Sequence, residues 1–340
     1  MSDSTPYLSV VVPVYNGGDA FAICLKAIQA SSYRNFELIV VDDGSTDESV
    51  SIARALGAKI LSTNGRYGPA AARNIGAAAA SGHIICFIDA DCETHRDTLQ
   101  KIVDAFGNHA EIAAVFGCYD DQPAQTNFVS QYKNLFHSYI HQNGNENAST
   151  FWAGCGAIKR TVFESVAGFD ADRYPRSCIE DIELGYRVRA AGGKILLDPA
   201  IQAKHHKKWT FAGLLKSDLF DRGIPWTTLM LQRADAINDL NLKTGSRVSV
   251  LAAYSLVVAL VAALVVPEAL WIAAALVAAL AIINFNFYRF FFERRGFWFA
   301  LRVVPLHWLY YLYCGLAAFI GTLTYLVRYN HATLKIDAGS

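Results

Sequence analysis

The sequence predicts an α/β domain built on a mainly parallel sheet, followed by amphipathic interface helices and C-terminal transmembrane helices. Three observations carry this expectation. Up to about residue 90, short β-branched runs alternate with helical patterns, the signature of β-α-β units. Acidic pairs end two of those runs. Beyond residue 247, Ala, Leu, Val, Ile, Phe, Trp and Tyr dominate in stretches long enough to cross a bilayer.

Residues 8–14 (LSVVVPV) read as the first strand, and Asn16-Gly17-Gly18 turns the chain into an amphipathic helix over 20–31. Residues 36–41 form the second strand, closing on Asp42-Asp43-Gly44-Ser45; Ser45 and Glu48 have the spacing of a capping box for the next helix. A third strand over 58–62 and an Ala-rich helix over 69–80 follow. Residues 84–88 form a fully apolar fourth strand that ends in Asp89-Ala90-Asp91. In an open α/β sheet, that carboxyl edge is where ligands bind. Two carboxylates at alternate positions can share a hard divalent cation such as Mn²⁺ or Mg²⁺, which bridges well to a diphosphate. After Asp91 the pattern becomes a helix at 94–108, a strand at 113–119, an amphipathic helix at 128–141, a polar loop, a Gly-rich strand or turn at 152–158, and a helix at 181–191.

Composition narrows the function. Hydrophobic residues make up 53% of the 340, above the roughly 45–50% of soluble domains. The excess lies in the C-terminal third. Thirty basic against thirty acidic residues exclude a general nucleic-acid binder. Seven scattered cysteines show no metal spacing and read as free thiols in a reducing compartment. The polar N-terminus carries no signal-peptide pattern, so the first domain is expected in the cytosol.

Residues 210–240 interleave aromatic and aliphatic residues with Lys216, Arg222 and Arg233, as helices lying on a membrane surface would, or helices packed in the ordinary way against the α/β domain. Residues 248–266 and 269–287 are uncharged apolar runs separated by Pro267-Glu268, and residues 303–327 form a third. About 20 residues cross a bilayer, so three spans are expected. Lys243, Arg247, Arg289, Arg294, Arg295 and Arg302 place their side in the cytosol. The expected division is therefore a catalytic domain over 1–206, juxtamembrane helices over 207–246, membrane helices over 247–328 and a short tail over 329–340.

The stretches VVPVYN, VDDGSTD, GPAAARN, FIDADC, WAGCGAIKR and IEDIELGYRVRAAG occur in that order over about residues 8–206. Together they resemble the family 2 inverting glycosyltransferases of the GT-A (Rossmann-like) fold. The resemblance implies a UDP- or GDP-sugar donor, with Pro13 and Tyr15 lining the nucleotide pocket and Asp42, or alternatively Asp43, accepting from the base. It implies Arg73 near the base and diphosphate, Asp89 and Ala90 facing the ribose and donor, and Asp91 ligating the metal with Asp89. His205 and His206 resemble the family's late histidine, which reaches the metal or diphosphate, and His206 is taken as the metal ligand. Trp152, Gly154 and Glu180 would face the acceptor, and Asp181 would be the base that deprotonates an acceptor hydroxyl. Each residue also has a plainer reading: Asp42-Asp43-Gly44-Ser45 as a turn, Asp181 as an acid favoured at a helix N-terminus. The processive signature Q-x-x-R-W is missing, which disfavours polymer extension and a pore. The expected acceptor is lipid-linked or membrane-proximal, at the cytosolic face of the cell inner membrane. A polyprenyl phosphate acceptor and a membrane-anchored nucleotide-sugar binder without turnover are the alternatives.

Overall fold

A computed structural model describes residues 7–233 and 240–337 of the chain. Two compact units emerge, Met1–Trp209 and Thr210–Ser340.

In the first unit, β1 (Leu8–Val14), α1 (Gly18–Gln29), β2 (Phe36–Asp42), α2 (Ser49–Ala55), β3 (Lys59–Ser62), α3 (Pro69–Ala78) and β4 (Ile84–Ile88) alternate as expected. β1 lies between β2 and β4, parallel to both, with β3 outside β2. Every residue of β1 and β4 is buried, because helices cover both faces of a parallel sheet. Pro13 is tolerated in this central strand because the β1–β4 register ends at Val11↔Phe87.

The chain then runs through β5 (Cys92–Thr94), α4 (Thr98–Asn108), β6 (Ile112–Tyr119), α5 (Phe128–Gln142), β7 (Asn147–Ala148), β8 (Cys155–Lys159), α6 (Arg160–Ser165), α7 (Glu180–Ala190) and β9 (Lys194–His205). The sheet order is β3-β2-β1-β4-β8-β6-β9-β5, with β7 pairing to β9. β8 is antiparallel to both neighbours, whereas β6 and β9 are parallel. The sheet is thus parallel on one side and mixed on the other.

Two local expectations change. The twelve-residue β9 was not anticipated; Asp198 and Pro199 break its alternation, and register shifts against β6 absorb the irregularity. The Ser45–Glu48 capping box does not form. α2 starts at Ser49, and the Ser45 hydroxyl accepts from Asn16 N at 2.9 Å instead. A tether to the end of β1 outcompetes the local cap.

The second unit contains α8 (Phe211–Lys216), a π-helical turn at Ser217–Gly223, α9 (Ile224–Arg233), α10 (Thr244–Ala262), α11 (Ala269–Ile283), α12 (Phe285–Arg295) and α13 (Phe297–Asp337). α10 and the Phe297–Arg328 part of α13 are long and apolar enough to cross a membrane. α11 and α12 add a third crossing only if taken as one span bent by 65°. The second apolar run, expected as one helix over 269–287, breaks at Asn284. This buried amide donates to Ser249 Oγ (3.1 Å) and Leu280 O (2.9 Å) and accepts from Tyr311 OH (2.6 Å). Its side chain therefore joins α10, the α11–α12 bend and α13, the usual role of a polar group between apolar helices. The third run starts earlier than expected, and Pro305 lies inside its helix. Most of the expected tail is helical, to Asp337. Residues 1–6 of the expected catalytic domain, 234–239 of the juxtamembrane stretch and 338–340 of the tail lie outside the described residues.

Candidate active site

The ends of β1, β2 and β4 hand their last residues to one edge of the sheet. Asn16 joins the first two: its Oδ1 accepts from Thr46 N (2.8 Å) and Asp47 N (3.3 Å). This explains why an asparagine follows β1 and why polar residues crowd the turn after β2. Asp42 and Asp43 are both buried but serve differently. Asp43 Oδ1 accepts from Tyr67 N (2.8 Å) and Thr63 Oγ1 (3.0 Å), and its Oδ2 accepts from Gly68 N (2.8 Å). It anchors the loop that starts α3. Gly68 is required there, with φ of 88° and Pro175 O only 2.3 Å from where a Cβ would sit. Asp42 commits Oδ1 to Ser45 N (3.0 Å), leaving Oδ2 for a ligand. Of the two acids the sequence offers for a base, Asp43 has both oxygens used by the fold and Asp42 only one. Tyr15 is exposed beside it, with the Arg66 guanidinium 4.0 Å over its ring.

Arg73, on α3, is not open to a nucleotide as expected. Its guanidinium is buried between Asp89 Oδ1 (2.7 Å) and Glu180 Oε1 (2.9 Å). Burial works against its charge, but Asp89, then Glu180 and Asp181, outweigh it and raise its pKa. Glu180, expected on the acceptor side, is also buried; its second oxygen accepts from Cys178 N at 2.8 Å. Both of its oxygens are used at the first turn of α7, so it does not face an acceptor. Asp89 keeps a 32% exposed carboxylate, and Ala90 is half-buried beside it.

Asp91 lies opposite His205, with Nε2–Oδ2 at 3.4 Å. Burial by itself would raise the Asp91 carboxyl, but the charge and hydrogen bond of His205, with Lys207, hold it down at about 2. His206 turns the other way, to Glu93 Oε2 at 2.7 Å, because successive residues at the end of β9 point to opposite faces. The imidazole beside Asp91 is thus His205 rather than the expected His206. Its Nδ1 meets Asn134 Oδ1 at 2.5 Å, and its ring stacks on Tyr119 with centroids 4.2 Å apart.

Asp181 is joined to the D-x-D through the backbone of two consecutive residues. Ala153 N donates to Asp181 Oδ2 (3.2 Å), while Gly154 O accepts from Asp89 N (3.1 Å). A Cβ on Gly154 would lie 2.5 Å from the Trp152 indole, so the glycine lets that ring fold back over the turn. Trp152 packs edge-on against Tyr119 (4.8 Å) and His141 (5.1 Å), forming an aromatic wall.

Among the described residues, no three His, Cys, Asp or Glu side chains gather to hold a metal by themselves. The carboxylates of Asp89 and Asp91, two residues apart and both partly exposed, nonetheless fit a hard cation that takes most of its oxygens from a diphosphate and water, the usual arrangement for Mg²⁺. All seven cysteines are free thiols, and burial raises those of Cys24, Cys92 and Cys155 well above the usual range. They are packing groups beneath the site.

Sequence reasoning missed Asn134, Glu93 and Tyr119 as site neighbours. It offered His205 beside His206 and preferred the latter. The three missed residues depend on β9 and α5 reaching the same edge, which no local pattern announces.

Fold and site together define a GT-A domain: a mixed α/β sheet with a D-x-D at the edge of its parallel half. Residues 9–167 match the family model described as glycosyl transferase family 2. Glycosyltransferase AglE of Haloferax volcanii is 36% identical over 108 residues, covering 30% of this chain and 36% of the relative. The amylovoran biosynthesis glycosyltransferase AmsB of Erwinia amylovora is 41% identical over 100 residues, 27% of this chain and 33% of the relative. The chain thus spans about a third of the length of these curated relatives. Among solved structures, the mannosyltransferase PcManGT of Pyrobaculum calidifontis, in complex with GDP-Man and Mn²⁺, superposes with a TM-score of 0.61. It shares 19% identity, with 93% of this chain and 88% of that chain covered, and so shares the fold.

Proposed function

We propose that this chain is a membrane-anchored inverting glycosyltransferase. It would move a sugar from a UDP- or GDP-sugar to a hydroxyl of a lipid-linked acceptor at the cytosolic face of the cell inner membrane. The observation that carries this reading is the Ala153–Gly154 peptide, which bonds to Asp181 on one side and to Asp89 on the other. A base candidate and the donor-side D-x-D are thereby indexed to each other. PcManGT, which holds GDP-Man and Mn²⁺, supports the donor class. The two apolar helices and the basic residues Lys243, Arg247, Arg289, Arg294, Arg295 and Arg302 support the membrane assignment.

In this reading Asp42 accepts from the base, Tyr15 flanks it, and Asp89 takes a ribose hydroxyl on its exposed oxygen. Asp91, with Asp89 and His205, would hold Mn²⁺ or Mg²⁺. The cation would supply charge neutralisation for the departing nucleoside diphosphate. Asp181 accepts a hydrogen bond from Ala153 N and takes the proton from the acceptor hydroxyl as that oxygen attacks the anomeric carbon. Trp152 and Tyr119 offer an apolar wall to the acceptor sugar.

The test uses the full chain in detergent with Mn²⁺, a panel of UDP- and GDP-sugars and a membrane lipid extract. Wild type and Asp181→Asn should show the same donor-dependent thermal shift. Transfer should fall by about 10²–10⁴-fold in the variant, the usual contribution of a general base. Normal transfer by the variant would remove Asp181 from the mechanism. Transfer to an added polyprenyl phosphate that survives in the variant would favour the phosphate-acceptor reading, since a phosphate needs no base.

A further inference from the structure

We infer that Glu180 is a positioning residue that couples donor occupancy to the placement of Asp181, acting through Arg73. The inference rests on the reading of Asp181 as the base and of Asp89 as a donor contact. Three carboxylate and guanidinium groups form a line with one open end. The Asp89 side chain is 32% exposed, whereas those of Arg73 and Glu180 are 5% and 4% exposed. A ligand therefore touches Asp89 and neither of the other two.

The buried part of the line has few alternatives. Arg73 meets Asp89 at 2.7 Å and Glu180 at 2.9 Å, while its Nε has no partner and its guanidinium lies 5.5 Å from the Phe169 ring centroid. Charge-assisted bonds in a dry site are short and directional, so the guanidinium follows the carboxylates that hold it. Glu180 in turn closes the turn before α7 by accepting from Cys178 N. Asp181 is the next residue. Immobilising Asp89 with a ribose immobilises Arg73, and Arg73 orders the first turn of α7 where the base sits. Such a coupling is reciprocal: an ordered α7 start also favours the donor.

This assigns Glu180 a role that differs from a fold contact in a measurable way. In wild type, saturating UDP- or GDP-sugar with Mn²⁺ should slow amide exchange several-fold in peptides covering residues 178–186. Glu180→Gln keeps the shape but weakens the charge pairing. It should bind the donor within about 3-fold of wild type, lose the donor-dependent protection, and release nucleoside diphosphate at least about 10-fold more slowly with little change in donor KM, the pattern of a group that acts beyond ground-state binding. Protection that persists in Glu180→Gln overturns the coupling. So does exchange at 178–186 that rises equally with and without donor, since that marks a purely structural contact. A wild type that binds none of the sugars overturns the donor reading itself. The donor-dependent thermal shift distinguishes that failure from failure of the coupling.

Discussion

In the β3-β2-β1-β4 half of the sheet, parallel strands deliver Asn16, Asp42 and Asp89 directly to the edge, and backbone N–H groups of the adjoining turns hold Asp42 and its neighbour Asp43. In the β8-β6-β9-β5 half, β8 runs against its neighbours, so the edge receives the residues before β8 together with the ends of β6 and β9. There the contacts are between side chains: Tyr119 on His205, Trp152 on Tyr119, Asn134 on His205. The first half recognises charge and polar groups with parts fixed by local turns. The second builds a wall whose members come from distant segments. The difference teaches that a loss on the donor side should separate cleanly into binding or stability, whereas a loss at the junction of the halves should affect both.

The junction gives the largest expected effect. Arg73→Met leaves Glu180 buried without its counter-charge, and breaking such a pair costs roughly 3–5 kcal/mol. Denaturant unfolding of the full chain would measure it. A loss below about 1 kcal/mol would mean that the halves are joined by packing alone.

Asp42 and Asp43 sharpen the comparison within the donor half. Asp43→Ala removes three hydrogen bonds to a charged acceptor and should cost about 2–3 kcal/mol of stability, since each such bond is worth roughly 1.5–3 and the turn can relax. Asp42→Ala should cost about 1 kcal/mol of stability and weaken binding of UDP or GDP about tenfold. Reversed outcomes would exchange the two roles.

The smallest effect is expected from acid, because the Asp91 carboxylate is 34% exposed and solvent screens its pairing. The Asp91 carboxyl is held at about 2 in the fold, below the unfolded value of roughly 3.9. A lowered folded pKa contributes stability that is present above the unfolded value and is lost as pH falls through the folded one. Asp91→Asn should therefore flatten the loss of stability between about pH 4 and 2, read as the acid unfolding profile by circular dichroism. An unchanged profile would mean that His205 does not hold Asp91 as the geometry indicates.

The donor half was largely legible because its signals are local. An apolar run ending in an acid reads as a buried strand and a ligand edge whatever lies elsewhere, and β1, β2, β3 and β4 fall where those runs lie. The resemblance of six short motifs extended this to Arg73, Glu180 and Asp181. It did not reveal that Arg73 and Glu180 face each other, because the two residues are 107 positions apart and only the tertiary fold brings them together. β9 escaped notice because Asp198 and Pro199 interrupt its pattern, and with it the face on which His205 lies. The break of the second apolar run at Asn284 was equally hidden: one asparagine in an apolar stretch does not announce a bend until Ser249 and Tyr311 supply its hydrogen bonds.

By itself, then, the sequence determined the alternation of strand and helix, the acidic edge and the apolar C-terminal third, since hydrophobic periodicity and turn chemistry act over a few residues. The tertiary structure alone decided which carboxylate is buried and which is open, which histidine meets Asp91, and how Ala153 and Gly154 join Asp181 to Asp89. Those outcomes depend on burial and on partners from remote segments, and a charged group's role follows from what surrounds it rather than from its place in the chain.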